Sequence, residues 1–488
     1  MEQSNPLFIG IDIGTQGVRA VALQAPGKVA AARSIPFPQV RREEQPPGEW
    51  WTNLADCLRS VTGELRDLGC LHRVRALSVT STSSTMIPLD QDYEPLHNAL
   101  MYSDPRSGEE AARCVLAAQR AGIHGYTGFN SSSGLPKILW YARHYPQEAE
   151  RIRLWAHAAD YIVGKLSGVW GVTDVTNAMK TGYDLFAGRW PDYISSELGV
   201  PLSWLPEVVA SGTALGKLTE RAAAETGLPS DVSVAAGMTD GCASQIASGA
   251  IRPGDWSTTI GTTLVLKGVT RSFVDDPEGR VYNHRHPEGF WMPGGASNTG
   301  ADWIPGGIGP ERLEQLNRTA ESLTPTPWIA YPLQRQGERF PFVSGEARGF
   351  DAPGLTPEQQ YASRMEGVAY LEKMSYDLLQ RLSGERISSI HTAGGASGSR
   401  AWLQIRSSVL QMPIRKMKHA EGAVGAAILA ASKHSFADLR EAGSNLIRPD
   451  EVIEPGGASD RERYAENYER FVETLRAKGY LKERGWIS

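Results

Sequence analysis

From Leu7 to Leu23 apolar side chains alternate around a glycine-rich break. Ile9, Ile11 and Ile13 fall on one face of an extended segment, and Gly14-Thr15-Gln16-Gly17 supplies the residues of a tight turn. The pattern predicts two strands joined as a hairpin. Ser257 to Leu266 (STTIGTTLVL) repeats the plan of strand, Gly-Thr-Thr and strand, so two related halves are expected. Between the hairpins, Val74 to Thr80 reads as a strand running into a Ser/Thr cluster. Ser233 to Gly237 reads as another strand, followed by Met238-Thr239-Asp240 and a helix of small residues through Ala250. Further on, Ile387 to Ala393 predicts a strand, and Gly394-Gly395-Ala396-Ser397-Gly398-Ser399 leads into a helix over Arg400 to Gln411. An alanine-rich helix is expected from Glu421 to Ser432. Tyr464, Tyr468, Phe471 and Leu475 recur at helical spacing as a packing stripe. The Pro and Gly of Ile251-Arg252-Pro253-Gly254-Asp255 mark a linker, which divides the chain into 1–250 and 251–488. The class is α/β with two sheet-centred domains.

Composition narrows the function more than the fold. The 488 residues are 41% hydrophobic and 22% charged, with a formal net charge of -5, so no basic surplus invites nucleic acid or an anionic membrane. Cys57, Cys70, Cys114 and Cys242 are scattered without a CxxC pair and read as reduced core thiols of a cytoplasmic protein. The apolar stretch from Leu7 to Ile13 is broken by Asp12 and has no basic leader, and no run of eighteen apolar residues occurs. A soluble chain without a membrane partner is expected, as a monomer or homodimer. GxxxxGK[ST], GxGxxG, HExxH and GxSxG are missing, which counts against P-loop enzymes, Rossmann dehydrogenases, zincins and α/β-hydrolases. His284 and His286 form an HxH pair without a third ligand and read as a loop or strand pair.

Three places carry candidate chemistry. Asp12 puts a carboxylate in an otherwise apolar strand, which is costly unless it is paired or bound to a cation. Either it bonds the turn, or it stands near a hydrated Mg²⁺ while the turn N–H groups and Thr15 hold phosphate oxygens and Arg19 adds a charge-assisted bond. Asp240, after a strand and before a helix, is either an N-cap or a general base at the carboxyl end of a strand, where open α/β sheets place ligands. Gly394-Gly395-Ala396 is either a simple turn or a place where backbone approaches a ligand at a helix start.

In order along the chain, these segments resemble the FGGY family of carbohydrate kinases. Asp12 to Ala20 (DIGTQGVRA) is similar to the family's first phosphate motif, and Ser103 to Arg106 (SDPR) and Pro136 to Trp140 (PKILW) to its N-domain signatures. Ala236 to Gly241 (AGMTDG) resembles the segment of its catalytic aspartate, and Ile260 to Thr263 (IGTT) its second phosphate motif. Gly337 to Pro341 (GERFP), Thr392 to Trp402 (TAGGASGSRAW) and Glu421 to Ala427 (EGAVGAA) resemble its GERxP, adenosine and following-helix segments. The resemblance implies two actin-like (ribonuclease H-like) domains, each a mixed sheet flanked by helices, with the active site in an interdomain cleft. It implies Asp240 as catalytic base and, with Asp12, as a holder of Mg²⁺. Gly14, Thr15, Gln16 and Arg19 would face the ATP phosphates from one domain, and Gly261, Thr262 and Thr263 from the other. Gly394, Gly395, Ala396 and Ser399 would serve the adenosine pocket; Ala396 departs from the family's third glycine. Xylulokinases carry Gln-Met-His-Gly where this chain has Thr82, Ser83, Ser84 and Thr85. That stretch, Asn177 to Leu185 and Gly294 to Trp303 are closer to D-ribulose kinase-like proteins, whose sugar-contacting serine falls at Ser83. Thr82, Ser83 and Ser84, with Asp12 and Asp240, are thus the implied sugar contacts. A ketopentose, D-ribulose or D-xylulose phosphorylated at C5, is the expected acceptor. L-ribulose, glycerol, or a nucleotide-switched module without enzyme activity, as in actin or Hsp70, are the alternatives.

Overall fold

The computed structural model describes residues 5–123 and 126–481. The chain divides into two compact units. The first comprises Met1–Ala247, Arg285–Gly289 and His419–Ile447; the second comprises Ser248–His284, Phe290–Lys418 and Arg448–Ser488. A contiguous split at 250 would have given the alanine-rich helix to the second part, whereas it packs as part of the first. The reason is steric fit, set out next.

The sheet of the first unit runs in the order Ala214–Lys217, Ser233–Thr239, Val74–Ser81, Leu7–Ile13, Gly17–Gln24, Lys28–Pro36. Strands Ser233–Thr239, Val74–Ser81 and Leu7–Ile13 are parallel, and the hairpin and its third strand continue antiparallel. Ile9, Ile11 and Ile13 share one face as the alternation implies and join a core with Trp50, Leu54, Leu58 and Val61 of helix Pro47–Asp67. The opposite face is buried as well, because helix Gly422–His434 lies on it. Gly10 makes that approach possible: a Cβ there would stand 1.7 Å from the Ala423 carbonyl oxygen and 2.6 Å from Ala427 N. Phe8, on the same face, meets Phe436 at 6.1 Å between ring centroids.

In the second unit the order is Tyr282–Arg285, Trp291–Ala296, Leu264–Gly268, Asp255–Ile260, Ser389–Ala393, Ile414–Met417, Pro449–Ile453. Helices Pro357–Ser383, Arg400–Leu410 and Ala458–Ala477 bury Tyr376, Trp402 and Phe471 against it. Tyr464, Tyr468, Phe471 and Leu475 form the buried stripe of the last helix. Strands Asp255–Ile260 and Ser389–Ala393 are parallel neighbours with Thr259 opposite Ala393. Their amino ends are tied by a short chain of hydrogen bonds. Ser389 Oγ donates to Asp255 Oδ1 at 2.7 Å and lies 2.9 Å from His391 Nε2. Among the described residues, no helix is long and apolar enough to cross a membrane, and all four cysteines are buried free thiols.

Two outcomes follow from this packing. Gly10→Ala drives a methyl group into the backbone of helix Gly422–His434 and should cost about 3 kcal/mol or more, seen as a large drop in the thermal unfolding midpoint; an unchanged midpoint refutes the close approach. Burial, aided by the nearby Arg415 charge, pushes His391 down to about 4. An unfolded histidine takes its proton near pH 6.5, so lowering the pH from there toward 4 favours the unfolded chain, by on the order of 3 kcal/mol. Thermal unfolding at pH 7 and pH 4.5 should show a steeper loss for the wild type than for His391→Gln.

Candidate active site

The carboxyl ends of the three parallel strands of the first unit bring its chemistry to one edge. Asp12 and Met238 are both in register with Thr80, on either side of strand Val74–Ser81. Two strand spacings, about 10 Å, therefore separate the backbones that deliver Asp12 and Asp240. Thr80 Oγ1 donates to the Met238 carbonyl at 2.8 Å and ties two of these strand ends together. The carboxylates feel one another: burial raises Asp12 to about 6, the Asp240 charge pushes the same way, and Arg19 opposes both. Gly422, the first residue of helix Gly422–His434, stands against this group, and a Cβ there would lie 3.3 Å from Asp12 Oδ2. Asp240 opens helix Asp240–Ala247 and accepts the Gly241 N–H at 2.6 Å.

The hydroxyl cluster follows strand Val74–Ser81 directly. Thr82 and Ser84 are buried and Ser83 is half-buried. The Thr82 and Thr85 hydroxyls pair at 2.8 Å, Ser83 and Ser84 lie 3.4 Å apart, and Tyr102 N–H donates to Thr85 Oγ1 at 3.3 Å. Of the three hydroxyls implied as sugar contacts, Ser83 is the one that reaches the surface.

The first turn is held from beneath by its carbonyls. Gly14 N–H donates to Gly17 O, Phe37 N–H to Gln16 O, and the buried Gln45 amide to Thr15 O at 2.9 Å, with Trp50 Nε1 fixing Gln45 in turn. No hydrogen bond among the described residues takes the Thr15 or Gln16 N–H. Gly17 is obligatory, since a Cβ would meet Ile35 O at 2.4 Å. Asp12, Gly14, Thr15, Gln16 and Arg19 line a cavity of about 710 Å³ together with Ser34, Arg42, Tyr102 and Ser103. Arg42 and Tyr102 have no sequence signal of their own; a loop and a strand end carry them there.

Sequence reasoning also missed the support behind Asp240. The buried Asp174 carboxylate accepts from Thr176 N–H (2.8 Å), Thr176 hydroxyl (2.6 Å), Asn177 N–H (3.3 Å), Asn177 Nδ2 (2.5 Å) and Ser211 hydroxyl (3.2 Å). Burial raises its pKa against those donors. Thr176 Oγ1 in turn accepts the Thr239 N–H at 2.9 Å, so the peptide before Asp240 is anchored through Thr176. The SDPR and PKILW segments have structural work: Arg106 bonds Asp104 and Glu44 while stacking 4.3 Å from the Trp140 ring. Burial lowers Lys137 to about 8 while its ammonium donates to the Ser131 and Ser133 carbonyls.

The second unit holds the other motifs. Gly261 N–H donates to Thr263 O at 3.0 Å, closing an exposed turn between strands Asp255–Ile260 and Leu264–Gly268. Gly394 has φ +89°, and a Cβ would lie 2.9 Å from Thr259 Cγ2 and 3.3 Å from Ile260 O. The two glycine motifs are thus neighbours. Gly395 is exposed, whereas Ala396 is buried in the core of this unit. Ser399 caps helix Arg400–Leu410 by accepting Trp402 N–H and donates to Asn317 Oδ1 at 3.0 Å. His284 ends up on strand Tyr282–Arg285, and His286 Nδ1 accepts Glu288 N–H at 3.1 Å.

Comparison with known proteins gives this geometry its context. The profile of the FGGY family of carbohydrate kinases, N-terminal domain, matches residues 7–247, and that of its C-terminal domain matches residues 254–434. The xylulose kinase of Bacillus subtilis (strain 168) is 26% identical over 472 residues, 90% of this chain and 91% of that protein. The structure of xylulose kinase from Rhodospirillum rubrum superposes with a TM-score of 0.81 at 25% identity, covering 97% of this chain and 99% of the other. Plasmodium falciparum glycerol kinase with ADP shares the fold, with a TM-score of 0.79 at 19% identity over 98% and 99% of the two chains. With both family profiles matched in order over most of its length, the chain belongs to the FGGY family of carbohydrate kinases, ATP-dependent sugar kinases of actin-like, ribonuclease H-like fold.

Proposed function

We propose that the protein phosphorylates a hydroxyl of a ketopentose, D-xylulose or D-ribulose at C5, with Asp240 as general base. The observation that carries this reading is the pair of carboxylates flanking one strand end, with the hydroxyl loop Thr82–Thr85 between them. A small polyol fits such a rim, where its hydroxyl groups can exchange hydrogen bonds with Ser83 and the carboxylates. The name of the Bacillus subtilis relative supports a pentulose.

Asp12 and Asp240 also fit a divalent cation. Two carboxylates that repel one another in a desolvated place gain from a positive charge there. Among the described residues no group of three or more His, Cys, Asp or Glu side chains is arranged for a metal, so the remaining positions would fall to water and phosphate oxygens, as Mg²⁺ prefers. Bound there, Mg²⁺ would neutralise the charge that develops on the transferring phosphoryl group.

The chain's own residues do the rest. Asp240 accepts the proton of the sugar hydroxyl as its oxygen attacks the γ-phosphorus of ATP, and the bond to the bridging oxygen breaks to release ADP. The Asp174–Thr176–Thr239 chain keeps that base in place. Thr15 and Gln16 N–H groups and the exposed Arg19 receive phosphate oxygens, as do Gly261, Thr262 and Thr263. Gly394 and Gly395 let the nucleotide approach backbone, with Ala396 packed behind them. Ser399 serves through the helix cap and Asn317. Ser83 contacts the sugar, while Thr82 and Ser84 shape the loop beneath it. Four buried free thiols suit the reducing cytoplasm.

Asp240→Asn should lower kcat by about 10² to 10⁴ while leaving nucleotide affinity near that of the wild type, measured by coupled ADP release and by titration with ATP. Wild-type turnover in this variant removes the base assignment. Ser83→Ala should raise KM for the preferred sugar roughly fivefold, the worth of about 1 kcal/mol, with KM for ATP unaffected. The acceptor itself is identified by assaying D-xylulose, D-ribulose, L-ribulose and glycerol side by side; turnover confined to glycerol, or ATP hydrolysis indifferent to every sugar, rules out a pentulose kinase.

A further inference from the structure

Glu338, within the Gly337–Pro341 segment, is a buried carboxylate with five donors and no cation. Its Oε1 accepts the backbone N–H groups of Asn298 (2.7 Å) and Arg339 (2.9 Å). Its Oε2 accepts the hydroxyls of Ser297 (2.8 Å), Thr299 (3.0 Å) and Tyr331 (2.8 Å). No lysine or arginine forms an ion pair with it among the described residues. A desolvated carboxylate is tolerated on such terms only when its donors are held in place. Three of those donors belong to consecutive residues, Ser297, Asn298 and Thr299.

That tripeptide is the floor of the second phosphate turn. Ser297 N–H donates to Leu264 O (2.9 Å), Leu264 N–H to Thr299 O (2.8 Å) and Ala301 N–H to Gly261 O (2.7 Å). Gly300 touches the turn backbone itself: a Cβ there would stand 2.6 Å from the Thr262 carbonyl carbon and oxygen and from Thr263 Cα. Gly261, Thr262 and Thr263 rest on residues 297–301, and these rest on Glu338.

We propose that Glu338 is a positioning residue for ATP: without touching the nucleotide, it holds the Gly261-Thr262-Thr263 turn in the conformation that receives phosphate oxygens. This rests on the reading that the turn contacts the nucleotide. A merely structural glutamate would lower stability and weaken both substrates alike. A positioning glutamate acts selectively on ATP, because the sugar residues named above belong to the first unit.

The chemistry of the donors supplies the control. Backbone N–H groups at Oε1 cannot reverse, whereas hydroxyls at Oε2 rotate and can accept instead. Glu338→Gln, with its carbonyl at Oε1 and its amide at Oε2, keeps most of the pins; Glu338→Ala keeps none. In the full-length enzyme, Glu338→Ala should raise KM for ATP about tenfold or more and leave KM for the sugar near that of the wild type, while Glu338→Gln raises it by about threefold at most. Gly300→Ala, which disturbs the floor without touching the buried carboxylate, should raise KM for ATP as Glu338→Ala does and covers the case in which the latter does not fold. Thr262→Val serves as the reference in the turn itself. If Thr262→Val weakens ATP but Glu338→Ala and Gly300→Ala do not, or if they weaken the sugar equally, the positioning role is overturned and the turn's contact with nucleotide stands. If Thr262→Val leaves ATP affinity untouched, both are overturned.

Discussion

Two like charges brought to one edge of a sheet are the constraint around which the first unit is arranged. Parallel strands can only present their carboxyl ends side by side, and the register here sets Asp12 and Asp240 on either flank of the strand that ends in hydroxyls. Arg19 is exposed and only tempers the upward shift that burial and the Asp240 charge impose on Asp12. The cost of holding that arrangement is carried by packing elsewhere: helix Pro47–Asp67 on one face, helix Gly422–His434 on the other. On the proposed reading, a divalent cation held beside these carboxylates would relieve their mutual repulsion.

Each unit handles its buried supporting acid in the same way. Asp174 and Glu338 both lie in the interior, both accept five hydrogen bonds, and in both the donors are neutral hydroxyl, amide and backbone groups. Neutral donors fix a carboxylate by direction as well as by charge, so the backbone segments that carry them are fixed too. In one case the segment leads to the peptide before Asp240, in the other to the floor of a glycine turn. Glu372 follows the opposite strategy: it is paired with the buried Arg406 at 2.7 Å and ties helix Pro357–Ser383 to helix Arg400–Leu410.

The elements were largely legible because their signals are local. Glycine-threonine hairpins, the strand ahead of Asp240 and the aromatic stripe near the end are set by period and turn chemistry within a dozen residues, and they fall where the pattern puts them. What sequence did not show is what depends on distant chain. The alternation of Ile9, Ile11 and Ile13 implies one buried face; the second is buried by a helix four hundred residues later, and the small Gly10 is the trace it leaves. The capping of helix Arg400–Leu410 by Ser399 was partly hidden too, because one of its partners in space, Asn317, lies 82 residues earlier. Arg42, Tyr102 and Asp174 were invisible for the same reason: a single chain shows no alignment of loops in space.

The placement of helix Gly422–His434 has a consequence for biosynthesis. A nascent chain released as far as Ala247 already contains every strand of the first sheet, yet one side of that sheet stays uncovered until residue 434 has left the ribosome. The intervening segment must fold or wait meanwhile, so the amino-terminal half spends this interval with an apolar surface open to chaperones and to other nascent chains. Gene fragments cut at the apparent boundary inherit that exposed side permanently.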